Sequence, residues 1–253
     1  MDVDGSTISR ATGTTQEGPS RLSSLVLAVS ERLCRPEYTR RVAEAEAREA
    51  AIARVRRSVD AEALWTRRGR RYRACRLETF EIYDPKQRKA VAACRQYAAS
   101  VKSHVANGVN VLLVGPSGTG KDHLLACLVH AALAADVTVE WETGATMWLG
   151  LRQAIQTGRE REWIASLVRP WVLVLSDPIA PHSEVSQYDR SVLYAIIDQR
   201  YSKMRPVWLS INASSRAEAE QRLGVAIVDR LRHGALSLAC DWPSYRGKLR
   251  SDT

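Results

Sequence analysis

Three kinds of residue pattern are scarce in this chain of 253 residues, and each scarcity excludes a class of protein. Long apolar runs are missing: the most apolar stretches, 111–114 and 171–175, fall far short of the ~20 residues that a bilayer crossing requires. Paired cysteines are missing too. The five cysteines, at 34, 75, 94, 127 and 240, are odd in number and scattered, which argues against a disulfide framework or a zinc site with close ligand pairs. They read as reduced, mostly buried thiols. The first residues are acidic and polar, with no basic-then-apolar leader, so a cytoplasmic location is expected. Phenylalanine is nearly absent, Phe80 being the only one, and no internal repeat is evident.

What is present is an ordinary apolar fraction, 45%, and an excess of base, with net charge +9 and pI near 9.6. The length suits one α/β domain with a smaller appendage. The charge favours a polyanionic partner such as nucleic acid, although a bound nucleotide is also anionic and surplus arginine is common on plain solvated surfaces.

The most informative stretch runs from Val109 to His130. A short β-branched apolar run precedes a glycine-rich turn, and after Lys121 apolar residues repeat at helical spacing. Gly115, Pro116, Ser117, Gly118, Thr119, Gly120, Lys121, Asp122 and His123 fit the phosphate loop G-x-x-x-x-G-K between a strand and a helix. Glycines let the backbone curl so that successive N–H groups converge on phosphate oxygens at a helix N-terminus, and Lys121 would reach the β- and γ-phosphates. The next residue, usually Ser or Thr for Mg²⁺, is Asp122. A carboxylate can hold the metal directly or through water, but its charge beside a triphosphate is unfavourable unless Mg²⁺ offsets it.

Residues 1–20 are polar and aperiodic and read as a disordered tail. A helical region spans 21–66: Leu22, Leu25, Val26, Val29 and Leu33 share one face, Pro36 ends that helix, and a second run over about 38–64 carries a thin stripe of Val42, Ile52, Val55, Val59 and Leu64. That region either docks a partner or packs on the main domain. A linker, 67–76, holds six arginines in ten residues. Arg67, Arg68, Arg70, Arg71, Tyr72 and Arg73 suit contact with a phosphate backbone and stacking on a base, or equally a solvated hinge. The main domain is expected over 77–253. Phe80 and Tyr83 precede a helix from Asp84-Pro85 to about Val105, where many nucleotide-binding domains place apolar groups against adenine or anchor the helix in the core.

Strands are expected over 137–142, 171–177, 206–212 and 235–240, with helices over 145–157, 185–201 and 217–232. Strands alternating with helices imply a mostly parallel sheet covered on both faces, with nucleotide at the strands' carboxyl ends. The run Trp171–Asp177 has the form of a Walker B segment, in which a buried strand delivers an acid to the Mg²⁺ shell. With Asp177 as that metal residue, Pro178 stands where an acid should position water, and a general base is missing. Shifting by one makes Ser176 the metal residue and Asp177 the base. The first register is preferred, because Ile179-Ala180 then continues the apolar-small pattern.

From Phe80 to Arg246 the ordered set of motifs resembles the DnaC/IstB group of AAA+ ATPases, the replicative helicase loaders and transposition ATPases. The residues that carry the resemblance are Gly115–Leu124, Asp177-Pro-Ile-Ala180, Asp198-Gln-Arg-Tyr201, Ser210-Ile-Asn212, Val228–Arg232 and Asp241-Trp-Pro-Ser-Tyr-Arg246. It implies an AAA+ five-stranded parallel sheet, ATP and Mg²⁺ as cofactors, and an ATP-dependent homo-oligomer. It also implies DNA, single-stranded or duplex, and a replicative helicase or a transposase as partners. By position, Asn212 resembles sensor 1, Arg230 the arginine finger and Arg246 sensor 2, joining Lys121 and Asp177 as the catalytic set. Asn212 could instead cap a strand, Arg230 could pair with Asp229 or Glu220, and Arg246 could be plain surface. The expected activity is ATP hydrolysis, slowed by Asp122 and Pro178. A nucleotide-binding scaffold with little turnover is the alternative outside enzymes.

Overall fold

In a computed structural model the described residues are Ser30, 36–179 and 186–248, the last two by backbone alone. The tail 1–20, the apolar face of Leu22 to Leu33, Cys34, Ala180 and the helix start at Val185 lie outside them. The chain divides into two compact units, residues 1–54 and 55–253.

The first described helix, α1, is Pro36–Arg68, and a short α2 follows at Arg70–Arg73. The expected linker over 67–76 is therefore largely helical, and the larger unit begins within α1. On α1, Val42, Ile52, Val55 and Val59 are exposed, whereas Leu64 and Trp65 are buried in the larger unit's core. A capping box of Asp84 and Gln87 with Pro85 at the first turn starts α3, Pro85–Ala99. Ser100 interrupts what reads as one helix, and α4 continues as Val101–Ala106.

The sheet is β1 Val111–Val114, β2 Val139–Thr143, β3 Val172–Ser176, β4 Val207–Ile211 and β5 Leu236–Ala239, all parallel in the order β2-β3-β4-β1-β5. Strands β3 and β4 are buried throughout, as their unbroken apolar runs require of a sheet covered on both faces. Side-chain alternation sorts β3: Val172 and Val174 join one core with Leu124, Leu128 and Trp208, while Leu173 and Leu175 join the other with Met147, Ile196 and Ile227. Asn110 pins the sheet's lower end, accepting from Val207 N at 2.7 Å and donating to the Leu231 carbonyl at 3.0 Å.

Helices α5 Lys121–Ala134, α6 Gly144–Gln156, α7 Glu160–Val168 and α8 Gln187–Ser202 cover the faces. The helix expected over 217–232 is two, α9 Arg216–Leu223 and α10 Val225–Arg232, because Gly224 at φ 99° breaks the ladder. A last turn, α11 Tyr245–Lys248, follows β5.

Candidate nucleotide-binding site

The carboxyl ends of β1, β3 and β4 meet the N-terminus of α5 around a cavity of about 530 Å³. The turn from β1 into α5 needs its glycines. Gly120 sits at φ 86°, and a Cβ there would lie 2.9 Å from the Phe80 ring. Residues after β5 form the opposite wall: Trp242, 2% exposed, donates its indole N–H to the Thr119 carbonyl at 2.8 Å, and Tyr245 N donates to Gly118 O at 3.0 Å. Lys86 and Asp241 pair at 2.7 Å and tie this segment to α3.

Lys121 is 6% exposed, and its ammonium donates to Gly115 O at 2.8 Å, Pro116 O at 2.7 Å and Asn212 Oδ1 at 2.8 Å. Burial holds its pKa below the ordinary lysine value, with Cys240, Asp122 and Asp177 opposing. Asp122 is clamped by two serines. Ser176 Oγ donates to one carboxylate oxygen at 2.5 Å and Ser210 Oγ to the other at 2.6 Å. Asp177 is held separately, accepting from Asn212 Nδ2 at 2.6 Å and Asn212 N at 3.2 Å. Its backbone is at φ 46°, a conformation an aspartate tolerates at a cost of order 1–3 kcal/mol and one that clusters at functional sites. Arg222 braces this pair from behind, donating to the carbonyls of Asn212 and Ile179, with Asp177 Oδ1 at 3.5 Å.

The sequence and the architecture have counterparts among known proteins. A sequence model of the IstB-like ATP binding protein family matches residues 27–253. The chain belongs to the IstB-like ATP-binding protein family. The replicative helicase loader DnaC of Escherichia coli is 27% identical over 206 residues, covering 80% of this chain and 82% of that one. A putative insertion-sequence ATP-binding protein of Mycobacterium tuberculosis is 28% identical over 193 residues, covering 73% and 74%. A crystal structure of the DnaC helicase loader superimposes with a TM-score of 0.61 at 21% identity, covering 68% of this chain and 99% of that chain. The fold is that of the AAA+ P-loop NTPases, as the motifs predict.

Within this IstB-like domain the predicted site residues divide into those gathered at the cavity and those that are not. Residues 117–122 of the phosphate loop, His123, Phe80, Tyr83, Asp177, Asn212 and Arg246 all line it, as do Arg71 and Tyr72 of the arginine-rich stretch, whereas Gly115 and Pro116 do not. Phe80 is 9% exposed and meets His123 edge to face at 5.2 Å, so much of its ring packs on the loop itself. Tyr83 donates its hydroxyl to Pro243 O at 2.6 Å, beside the Tyr245 ring. Asp122 and Asp177, expected to share a metal, have separate hydrogen-bond partners. It is Ser176, the last residue of β3, that meets Asp122. Arg230 lies away from this cavity, its guanidinium bonded to Asp198 and Tyr194 at 2.9 and 2.8 Å, and neither Asp229 nor Glu220 is its partner. Sequence reading missed Arg222 and Trp242 as site residues; their only signal was membership of a helical run and of the Asp241–Arg246 motif.

Of the arginine-rich residues, Arg67 pairs with Glu140 at 2.6 Å and Arg73 makes a two-pronged pair with Glu62 at 2.8 Å. Arg68 stacks over Trp141 and Tyr72, at 4.4 and 4.8 Å, which occupies the aromatic expected to meet a base. Arg70 and Arg71 remain exposed without an ion pair among the described residues, and Arg71 stands at the rim of the candidate nucleotide cavity. Among those residues, too, no helix is long and apolar enough to cross a membrane.

Proposed function

We propose that this chain is an ATP-dependent helicase-loader ATPase that assembles with a replicative helicase and delivers it to single-stranded DNA. The observation that carries this reading is the extent of likeness to the loader DnaC, which includes 82% of that protein's sequence and nearly the whole of the crystallised DnaC chain. In this reading the N–H groups of residues 117–121 and the Lys121 ammonium hold the phosphates. The residues fit Mg²⁺: Asp122 offers an oriented carboxylate and serine hydroxyls stand beside it. Bound there, Mg²⁺ would supply charge neutralisation for the phosphates. Asn212, bonded to both Lys121 and Asp177, reads the γ-phosphate position, and Arg246 reaches it from the opposite wall. Arg230 acts on a neighbouring subunit's nucleotide, which suits its position outside its own chain's cavity. Exposed Arg70 and Arg71 contact the DNA backbone, and the protein works in the cytoplasm.

A transposition helper that assembles on duplex DNA with a transposase is the second reading, favoured by the insertion-sequence relative of similar identity. Co-purification separates them. The purified chain with ATP is expected to form a complex with the source organism's replicative helicase on size-exclusion chromatography; a complex with an adjacent transposase and none with the helicase would replace the first reading by the second.

A further inference from the structure

Phosphate-loop NTPases hold Mg²⁺ with a hydroxyl from the residue after the loop lysine and a carboxylate from the end of the Walker B strand. Here the first position is Asp122, and Ser176 closes β3. We propose that the two metal-facing positions are transposed: Asp122 supplies the carboxylate from the helix, Ser176 supplies the hydroxyl from the strand, and Asp177 is left free of the metal. The inference rests on the ATP-binding reading of the same site and sharpens it.

Four observations support the exchange. Ser176 is 7% exposed and is fixed in register between Thr143 of β2 and Ser210 of β4, so its hydroxyl has a defined place at the sheet's end. That hydroxyl donates its proton to Asp122 at 2.5 Å, which leaves its oxygen lone pairs for a cation. Ser210, 2% exposed, fixes the other carboxylate oxygen at 2.6 Å, and a carboxylate with about four lone-pair sites still has room for a metal. Finally, Asp177 is bound to Asn212 and braced by Arg222, with no hydrogen bond to Asp122 or Ser176.

Charge explains why the two departures occur together. A carboxylate at 122 with a serine at 176 carries one negative charge, as the usual arrangement does. An acid at both places would set two carboxylates at hydrogen-bonding range beside a triphosphate, and a serine at both would leave Mg²⁺ with no anionic ligand. Each departure alone is unfavourable. Together they preserve the ligand set.

The test is exchange. Affinity for a fluorescent ATP analogue is measured with Mg²⁺ and with EDTA, and folding is followed by thermal melting. Asp122→Ser and Ser176→Asp are each expected to weaken Mg²⁺-nucleotide binding about ten- to a hundredfold. In EDTA Asp122→Ser should bind no worse than the natural chain. The double exchange Asp122→Ser/Ser176→Asp should recover Mg²⁺-dependent affinity to within a few-fold. A double variant no better than Asp122→Ser overturns the transposition. Should an exchange variant fail to fold, Asp122→Asn and Ser176→Ala carry the test, and an undiminished Mg²⁺ response in both overturns it. If the natural chain binds nucleotide no better than Lys121→Ala, the ATP reading falls and the transposition with it. Tight binding lost in Lys121→Ala, without rescue by exchange, removes the transposition alone.

Discussion

Lys121 and Asn212, 91 positions apart in the chain, meet at 2.8 Å, ammonium to amide oxygen. The other face of that amide donates to Asp177 at 2.6 Å, so one asparagine couples the lysine of the loop to the acid beyond β3. With Gly115 O and Pro116 O also accepting from it, the ammonium's three donors are all engaged, and a phosphate oxygen seated there must replace one of these partners. Lys121→Ala is expected to abolish nucleotide binding. Asn212→Ala should keep most of the binding and lower turnover by about 10²-fold, the usual cost of one oriented donor at a developing charge. Titration with a fluorescent nucleotide and steady-state phosphate release measure the two effects.

Under the proposed exchange of metal positions, Asp177 serves as the acid that takes the proton of the attacking water as its oxygen bonds to the γ-phosphorus and the bond to ADP breaks. Asp177→Asn should lower ATP turnover by about 10²–10⁴-fold while leaving nucleotide affinity within a few-fold. Equal turnover in the natural and variant chains would remove Asp177 from that role.

Trp242 is nearly fully buried, and its indole N–H is bonded to the phosphate loop. Trp242→Ala is expected to cost about 3–5 kcal/mol of stability, and Trp242→Phe about 1 kcal/mol for the lost hydrogen bond. Chemical denaturation checks both values, and nucleotide should protect the two variants less than the natural chain.

Among the basic residues Arg70 and Arg71 are exposed, whereas Arg67 and Arg73 are engaged by Glu140 and Glu62. Neutralising Arg70 and Arg71 together should weaken single-stranded DNA binding and flatten the log–log salt dependence by about one to two units of slope. Neutralising Arg67 alone should change that slope less. Fluorescence anisotropy across a salt series distinguishes the two.

His130 stacks on Trp65 at 4.1 Å, and its Nε2 lies 2.9 Å from Arg73 O and 2.8 Å from Arg76 Nη1. Burial, and then the Arg76 charge, lower its pKa from the ordinary 6.5. The unfolded chain therefore binds the proton more readily than the folded one. The stability this neutral histidine provides is complete above about pH 6.5 and is lost as pH falls through the lowered value. Melting temperature measured from pH 8 to pH 5 should fall at the acid end, and less steeply in His130→Asn.

The sheet was legible because its strands are short, buried and apolar, and each of the five runs expected from the sequence became a strand within about two residues. The phosphate loop was legible because it is local, its glycines and lysine being set by one turn. What stayed hidden depends on pairing across the sheet. The contact of Ser176 with Asp122 requires β3, β4 and α5 to be assembled, and the sequence could not tell whether Ser176 or Asp177 ended the strand. Arg222 gave no signal of its own, one arginine among many on a helical run. Likewise the bond between Arg230 and Asp198 joins α10 to α8 and has no sequence spacing to announce it. The arginine-rich stretch read as one basic surface because its acidic and aromatic partners, Glu62, Glu140 and Trp141, lie elsewhere in the chain.

The wall that Trp242 and Tyr245 build against the loop means that the candidate site is completed only well after the loop itself has been synthesised. When Lys121 leaves the ribosome the loop has its glycines and its lysine but nothing to lean on, and more than a hundred further residues must emerge before residues 240–246 close over it. In the proposed reading, nucleotide therefore rewards only chains in which β5 is already in the sheet.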